Sequence, residues 1–313
     1  MISRRLLRIK IFQVLYAHFS SPDNTLSAAE KNLEYSIEKT YDLYCYLLLL
    51  PMAVTRYAES RIELGRQKKM QTYEDLHPNL RFVENRVTQQ LAAHAPLQSY
   101  LEKKGLNWVR YPELIRNLYQ ELVASDVYAG YMALDACTYR DDRAVWQYFY
   151  ETLLVNNDMF FDILEEQNIF WNDDVELVVS MILRTLSMST EQRLHPLLPL
   201  YTDEDDKEFA FTLLKETIRH NDANQQLIAK YARNWDLERI AFADTLILSM
   251  AITEIETFPS VPVRVSFDEY LELSKFYSTE KSSVFINGIL DRIVEELSAS
   301  NRIVKADGGA PAK

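Results

Sequence analysis

Apolar residues recur at three- and four-residue spacing along almost every long segment of this chain, and that period restricts its fold most. Leu246, Met250 and Ile255 keep it within 239–257. Ile286, Ile289, Leu290, Ile293 and Leu297 keep it within 282–298. Six glycines and ten prolines in 313 residues are too few turn formers for a many-stranded β architecture. The best alternating stretch, Val261 to Val265, reads as strand-like and is weakened by Pro262. Ser266-Phe-Asp-Glu269 reads as a capping box that opens the helix after it. Pro78, Pro96, Pro112, Pro196 and Pro199 divide the middle of the chain into several short helices. The expected class is all-α, with length for about two domains.

Composition removes several functions. No G-x-G-x-x-G, Walker-type loop or G-x-S-x-G elbow is present. The five histidines (His18, His77, His94, His195, His220) are scattered, and none has H-E-x-x-H spacing. Cys45 and Cys137 lie far apart with no nearby His, which fits a reducing compartment and neither a disulfide framework nor a zinc site. Glu165-Glu166 and the run Asp203 to Asp206 read as solvated helix starts or loops. The expectation is a protein without catalysis, metal or cofactor. Leu43 to Val54 is the most apolar stretch, but it contains Pro51 and is about 12 residues long, where a bilayer span needs about 20. It reads as a buried helix interrupted at Pro51, in a cytoplasmic protein with no targeting segment or membrane partner. The aromatics between 65 and 200, among them Trp108, Tyr128, Tyr131, Trp146 and Tyr150, read as core, because acidic residues are interleaved with them and aromatics bury large areas.

Charge is uneven. Residues 1–20 carry Arg4, Arg5, Arg8 and Lys10 and no acid, so this window is +4 in a chain of net charge -12, which leaves -16 for the rest. Ser3 is a plausible N-cap for a helix running to about Phe19. Beyond its first turns that helix is apolar nearly all round and should be buried. Arg4, Arg5 and Arg8 share one side of its N-terminal end, where the macrodipole disfavours cations. They form either a phosphate-binding fork or a solubilising terminus. At the other end, Gly288 lies inside a helical pattern, which suggests a close helix–helix approach. Phe285 either packs in the core or stacks on an unpaired base beside Asn287.

Together the two ends resemble the NusB family of bacterial transcription antitermination factors. The first match is Arg4-Arg5-Leu-Leu-Arg8-Ile-Lys-Ile-Phe-Gln13-Val-Leu-Tyr16. The second runs over about 90 residues, 206–297. It includes Asn234-Trp235-Asp-Leu-Glu-Arg239, Leu248 to Ile255, Val261-Pro262-Val-Arg-Val, Phe267-Asp268-Glu269, Leu271-Glu272-Leu-Ser-Lys275 and Ser282 through Asp291. The resemblance implies NusB-like helical bundles enlarged by an inserted set of helices. Residues 1–34 would hold the arginine-rich helix, 35–200 the insertion or extension, 201–298 the C-terminal core and 299–313 a flexible tail.

It also implies a noncatalytic, cofactor-free factor that binds boxA-type single-stranded RNA. The factor would act with the small-subunit ribosomal protein NusE, within an elongation complex containing other Nus factors, on ribosomal RNA operons. By motif position, Arg4, Arg5 and Arg8, helped by Lys10, match the RNA-contacting start. Phe285, Asn287 and, more loosely, Tyr231 match RNA-side positions. Asp244 and Lys281 match the ribosomal-protein side. About four phosphate contacts give an expected salt slope near -3 at ~0.7 per contact. Two departures bear on affinity: Ser283-Val284 stands where the family often has His-Lys, and Leu248-Ser249 where it often has Leu-Arg. One alternative is an all-α interaction scaffold that keeps the core without specific RNA binding. Another, a ribosomal RNA methyltransferase fusion, needs a glycine-rich cofactor loop on an α/β sheet, which this sequence does not offer.

Overall fold

A computed structural model describes residues 3–22, 25–201, 203–232, 241–279 and 282–303. Fifteen α-helices follow one another through them. The first four are α1 (Arg4–Ser20), α2 (Leu26–Leu48), α3 (Leu50–Arg66) and α4 (Tyr73–Leu76). Then come α5 (Arg86–Ala93), α6 (Ala95–Lys104), α7 (Pro112–Val123) and α8 (Asp126–Ala133). Next are α9 (Tyr139–Tyr148), α10 (Asp158–Gln167) and α11 (Val175–Met188), and last α12 (Glu204–Tyr231), α13 (Phe242–Thr257), α14 (Val263–Tyr277) and α15 (Ser282–Ala299). Among the described residues the β pairing is a single antiparallel bridge, Thr190 with Arg193. None of these helices is long and apolar enough to cross a membrane.

The chain divides into two compact units. One is Met1–Ile37 with Tyr201–Lys313, and the other is Glu38–Leu200, so that the boundary falls inside α2. In the first unit α12 packs on α13, α13 on α14 and α15, and α1 on both α12 and α13. The N-terminal helix therefore docks on the C-terminal helices. It buries Leu6, Leu7, Ile11, Phe12, Val14 and Leu15, each stabilising by about 1.5–3 kcal/mol when fully removed from water. α13 is buried without a break from Leu246 to Ile255. The periodic residues of α15, Ile286 to Leu297, face the same interior.

Two local expectations change. Val263, Arg264 and Val265 form the first turn of α14, with Pro262 at its N-cap in extended backbone. An alternating triplet of this length fits one helical turn as well as a strand, and a preceding Pro suits a helix entry. Ser266 accordingly lies inside α14 and caps nothing; its hydroxyl is buried and donates to Glu254 Oε1 at 2.7 Å. The expected tail from residue 304 onward lies outside the described residues.

The second unit is an aromatic-rich core of short helices. Tyr46 and Trp108 stack at 3.9 Å between ring centres, 7° from parallel. The polar ends of the rings are satisfied internally: Trp108 Nε1 donates to the Tyr46 carbonyl at 3.1 Å, and Tyr150 OH to the Leu47 carbonyl at 2.8 Å. Tyr44 OH meets Thr185 Oγ1 at 2.7 Å. Buried Asn85 caps α5 through Val87 N–H and Thr88 N–H and also accepts from Trp146 Nε1. These rings act as core, as their pattern indicated. The apolar run breaks where expected, between α2 and α3, with Pro51 in the first turn of α3.

Candidate nucleic-acid interface

The basic start of α1 is held by carboxylates from three other helices. Ser3 Oγ accepts from Leu6 N–H and caps the helix. Arg4 Nε reaches Asp206 on α12 at 2.8 Å. Arg5 grips Glu269 on α14 with two bonds of 2.9 Å. Arg8 grips Glu254 on α13 with bonds of 2.7 and 2.8 Å. The same carboxylate accepts from Ser266 Oγ at 2.7 Å and Tyr270 OH at 2.9 Å. Arg4 and Arg8 also lie over the Phe209 ring, 5.0 and 5.2 Å from its centre.

Burial separates the arginines. Arg4 and Arg5 keep 35 % and 59 % of their side chains exposed, whereas Arg8 keeps 4 %. Burial opposes the Arg8 charge, but hydrogen bonding and attraction from Glu254 outweigh it and raise its pKa. Tyr270, buried beside the same carboxylate, is raised as well. Arg5 is raised by its hydrogen bond to Glu269. The three arginines are thus not one exposed fork. Arg8 is an internal ion-pair partner, because Glu254 sits on a helix buried on all sides and an ionised carboxylate there requires a cation. Lys10 is fully buried too; it lies off the Arg5, Ile9, Gln13 and Tyr16 line, which is the side of α1 that meets water.

The second half of α14 and the start of α15 frame an open cavity of about 410 Å³, lined by Asp268, Leu271, Glu272, Lys275, Ser283, Val284 and Asn287. Glu272, one of its lining residues, also attracts Arg5 of α1. Asn287 is exposed and reaches Asp291 only at 3.4 Å. Gly288 is exposed, and nothing lies within 4 Å of where its Cβ would be. The expected helix–helix approach at Gly288 is therefore absent. Val284 is 72 % exposed, so Ser283-Val284 leaves a neutral lip on this cavity. Phe285 points the other way and is 5 % exposed; its position beside Ile286 and one turn before Ile289 draws it onto the core stripe. Ser249 is buried and receives Asn224 Nδ2 at 3.1 Å. A family-type Arg there would be a buried charge, and this chain has a closed amide–hydroxyl network instead.

The remaining positions lie elsewhere in the unit. Tyr231 OH donates to Glu296, which Lys230 also holds at 2.6 Å. These partners keep Glu296 below the usual carboxylate range. Glu296 is nine residues beyond Asn287 on α15, about 13 Å of helical rise. Asp244 is buried and accepts from Ser278 Oγ at 2.5 Å and Ser282 Oγ at 2.9 Å, which ties the end of α14 to the start of α15. Lys281 and the Asn234 to Arg239 motif lie outside the described residues. Among the described residues no group of three His, Cys, Asp or Glu side chains could hold a metal ion. Sequence reasoning did not identify the carboxylates of Asp206, Glu254 and Glu269 as the arginines' partners. Glu254 was the findable one: it is the single charge between Leu246 and Ile255, and an acid in so apolar a stretch implies a buried cation facing it.

Comparison with known proteins gives a consistent set of likenesses. A model of the NusB family matches residues 176–295, which takes in α11 as well as the C-terminal helices. A protein named transcription antitermination protein NusB from Salinibacter ruber is 40% identical over 121 residues, 38% of this chain and 76% of that protein. Proteins of the same name from Thermodesulfovibrio yellowstonii and Alkaliphilus oremlandii are 42% and 38% identical, over 66% and 68% of their lengths. A solved structure titled T. maritima NusB aligns with 45% of this chain and 89% of its own, at 27% identity and a TM-score of 0.30.

Proposed function

The chain belongs to the NusB family, and from that premise we propose that it is a noncatalytic antitermination factor that binds boxA-type single-stranded RNA together with the ribosomal protein NusE. The observation that carries this reading is the 40% identity to an antitermination protein across three quarters of that protein's length. The concavity between α14 and α15, whose Glu272 attracts Arg5 of α1, supports an RNA site there. Arg4 and Arg5 would exchange Asp206 and Glu269 for phosphates, and Asn287 would present its amide to a base edge beside the bare backbone of Gly288. Arg8 and Lys10 would act from inside, by fixing α1 rather than by touching RNA. Tyr231, at the far end of α15, would contact only a longer strand, and Phe285 would have to leave the core to stack. The partner surface would involve Lys281 and the α14–α15 junction that Asp244 organises.

Two exposed phosphate ligands in place of four give a salt slope near -1.4 at ~0.7 per contact on a single strand. The test is the affinity of labelled boxA-like and scrambled RNA at several salt concentrations, with and without NusE. Preference for boxA that tightens with NusE, with a slope that flattens in Arg4→Ala/Arg5→Ala, is the expected result. No preference at low salt with NusE present would sink the reading. That outcome would favour an interaction scaffold, a possibility to which the intramolecular pairing of Arg4, Arg5 and Arg8 already gives some weight.

A further inference from the structure

The second unit carries a basic, aromatic knuckle at the end of α3. From Gly65 to His77 it carries Arg66, Lys68 and Lys69 against Glu74 and Asp75, a local excess of positive charge in a chain of net charge -12. Residues 64–73 are all exposed except Gly65. Met70 is 89% and Tyr73 76% exposed. Tyr73 lies against the exposed His77 ring, 4.7 Å between centres, so the two rings form an aromatic platform in water.

This segment is built, not loose. Thr72 and Asp75 form a reciprocal capping box on α4. Lys68 Nζ holds Asp75 at 2.8 and 3.1 Å, and Lys68 and Thr72 keep that carboxyl below its usual range. Asp75 Oδ1 lies 2.6 Å from the point a Cβ on Gly65 would occupy, so a side chain at residue 65 would displace the Asp75 carboxylate. Gln71 closes the loop further by donating to the Arg66 carbonyl. Lys68 is thereby neutralised, whereas Arg66 and Lys69 have no carboxylate partner among the described residues. An internal frame thus holds two cations and a two-ring platform in solvent, although leaving Tyr73 and Met70 exposed gains nothing for the core.

We propose that this knuckle is a second, sequence-tolerant contact for single-stranded RNA. A base stacks on Tyr73, and Arg66 and Lys69 hold the adjoining phosphates. The chemistry selects RNA over a protein partner. Arg66 and Lys69, without carboxylate partners among the described residues, outnumber the one exposed carboxylate beside the ring pair, Glu74, and the rings with these cations are complementary to a strand of π-faces and negative charge. The inference rests on the reading of the chain as an RNA-binding protein, but it invokes none of the residues of the α1–α14–α15 site.

The test is binding of a labelled oligouridine of about 16 nucleotides to the full chain across a salt series. Tyr73→Ala should weaken binding by about 5- to 150-fold, the range for loss of one stacked base, while Tyr73→Phe retains it. Arg66→Gln/Lys69→Gln should reduce the salt slope by about 1.4. Far-UV circular dichroism checks that these surface variants remain folded. If the boxA preference fails but these variants still weaken oligouridine binding, the knuckle stands and the boxA reading falls. If Tyr73→Ala and Arg66→Gln/Lys69→Gln both bind oligouridine like the parent chain, the proposal is overturned and the patch is left to a protein partner.

Discussion

Arg8 and Glu254 form a desolvated, bidentate pair whose carboxylate is further satisfied by Ser266 and Tyr270. The net worth of such a pair is small, but an orphaned partner is costly. Arg8→Ala should therefore destabilise the first unit by about 3–5 kcal/mol. Arg8→Met/Glu254→Leu should be less destabilised than Arg8→Ala, because no charge remains inside. Urea denaturation of the variants measures both, and a double variant worse than the single would refute the account. The basic character of α1 was legible in the sequence, but the division of labour among its arginines was not. That division depends on which carboxylates α12, α13 and α14 bring to each turn, at sequence separations of 202, 246 and 264 residues.

Among the elements, α6 depends on a titratable cap. His94 Nδ1 accepts from Leu97 N–H at 3.2 Å, which only a ring unprotonated at Nδ1 can do. Burial lowers the His94 pKa below its ordinary value near 6.5. A depressed histidine contributes stability that is present above the unfolded pKa and is lost as pH falls through the folded one. Between pH 7.5 and 5, the second unit should accordingly lose more stability in the parent than in His94→Asn, whose amide oxygen caps without titrating. A cap worth ~1 kcal/mol corresponds to about 2–4 °C in a domain of this size, readable in thermal melts at the two pH values. Equal pH sensitivity in both proteins would rule this out. At this scale periodicity located α1, α13 and α15 well, and the Ser3 cap is where the residue pattern put it. It failed at Val261 to Val265 and Ser266, where a helix entry through Pro262 and the attraction of buried Glu254 outweighed a local pattern only a few residues long.

For the molecule as a whole, the two units have separate cores, and Cys45 reports on the second. It is fully buried among aromatic and aliphatic residues, and burial pushes its thiol pKa up. A thiol reagent should label the more accessible Cys137 in the native protein, and Cys45 only when the second unit opens. Mass spectrometry of labelled peptides over a denaturant series should place Cys45 modification on the unfolding transition, and labelling of Cys45 before that transition would contradict the packing. Composition and period by themselves determined that this chain is helical and that its central aromatics are core; the resemblance of its two ends to a family rested instead on ordered motifs. These properties follow from local spacing and the burial of apolar area, which a linear sequence displays. Only the tertiary structure decided that Arg8, Lys10, Phe285, Asp244 and Ser249 face inward while Arg5, Asn287 and Gly288 face water. Direction on a helix that is apolar nearly all round is set by the neighbours that pack against it, and those neighbours come from distant parts of the chain.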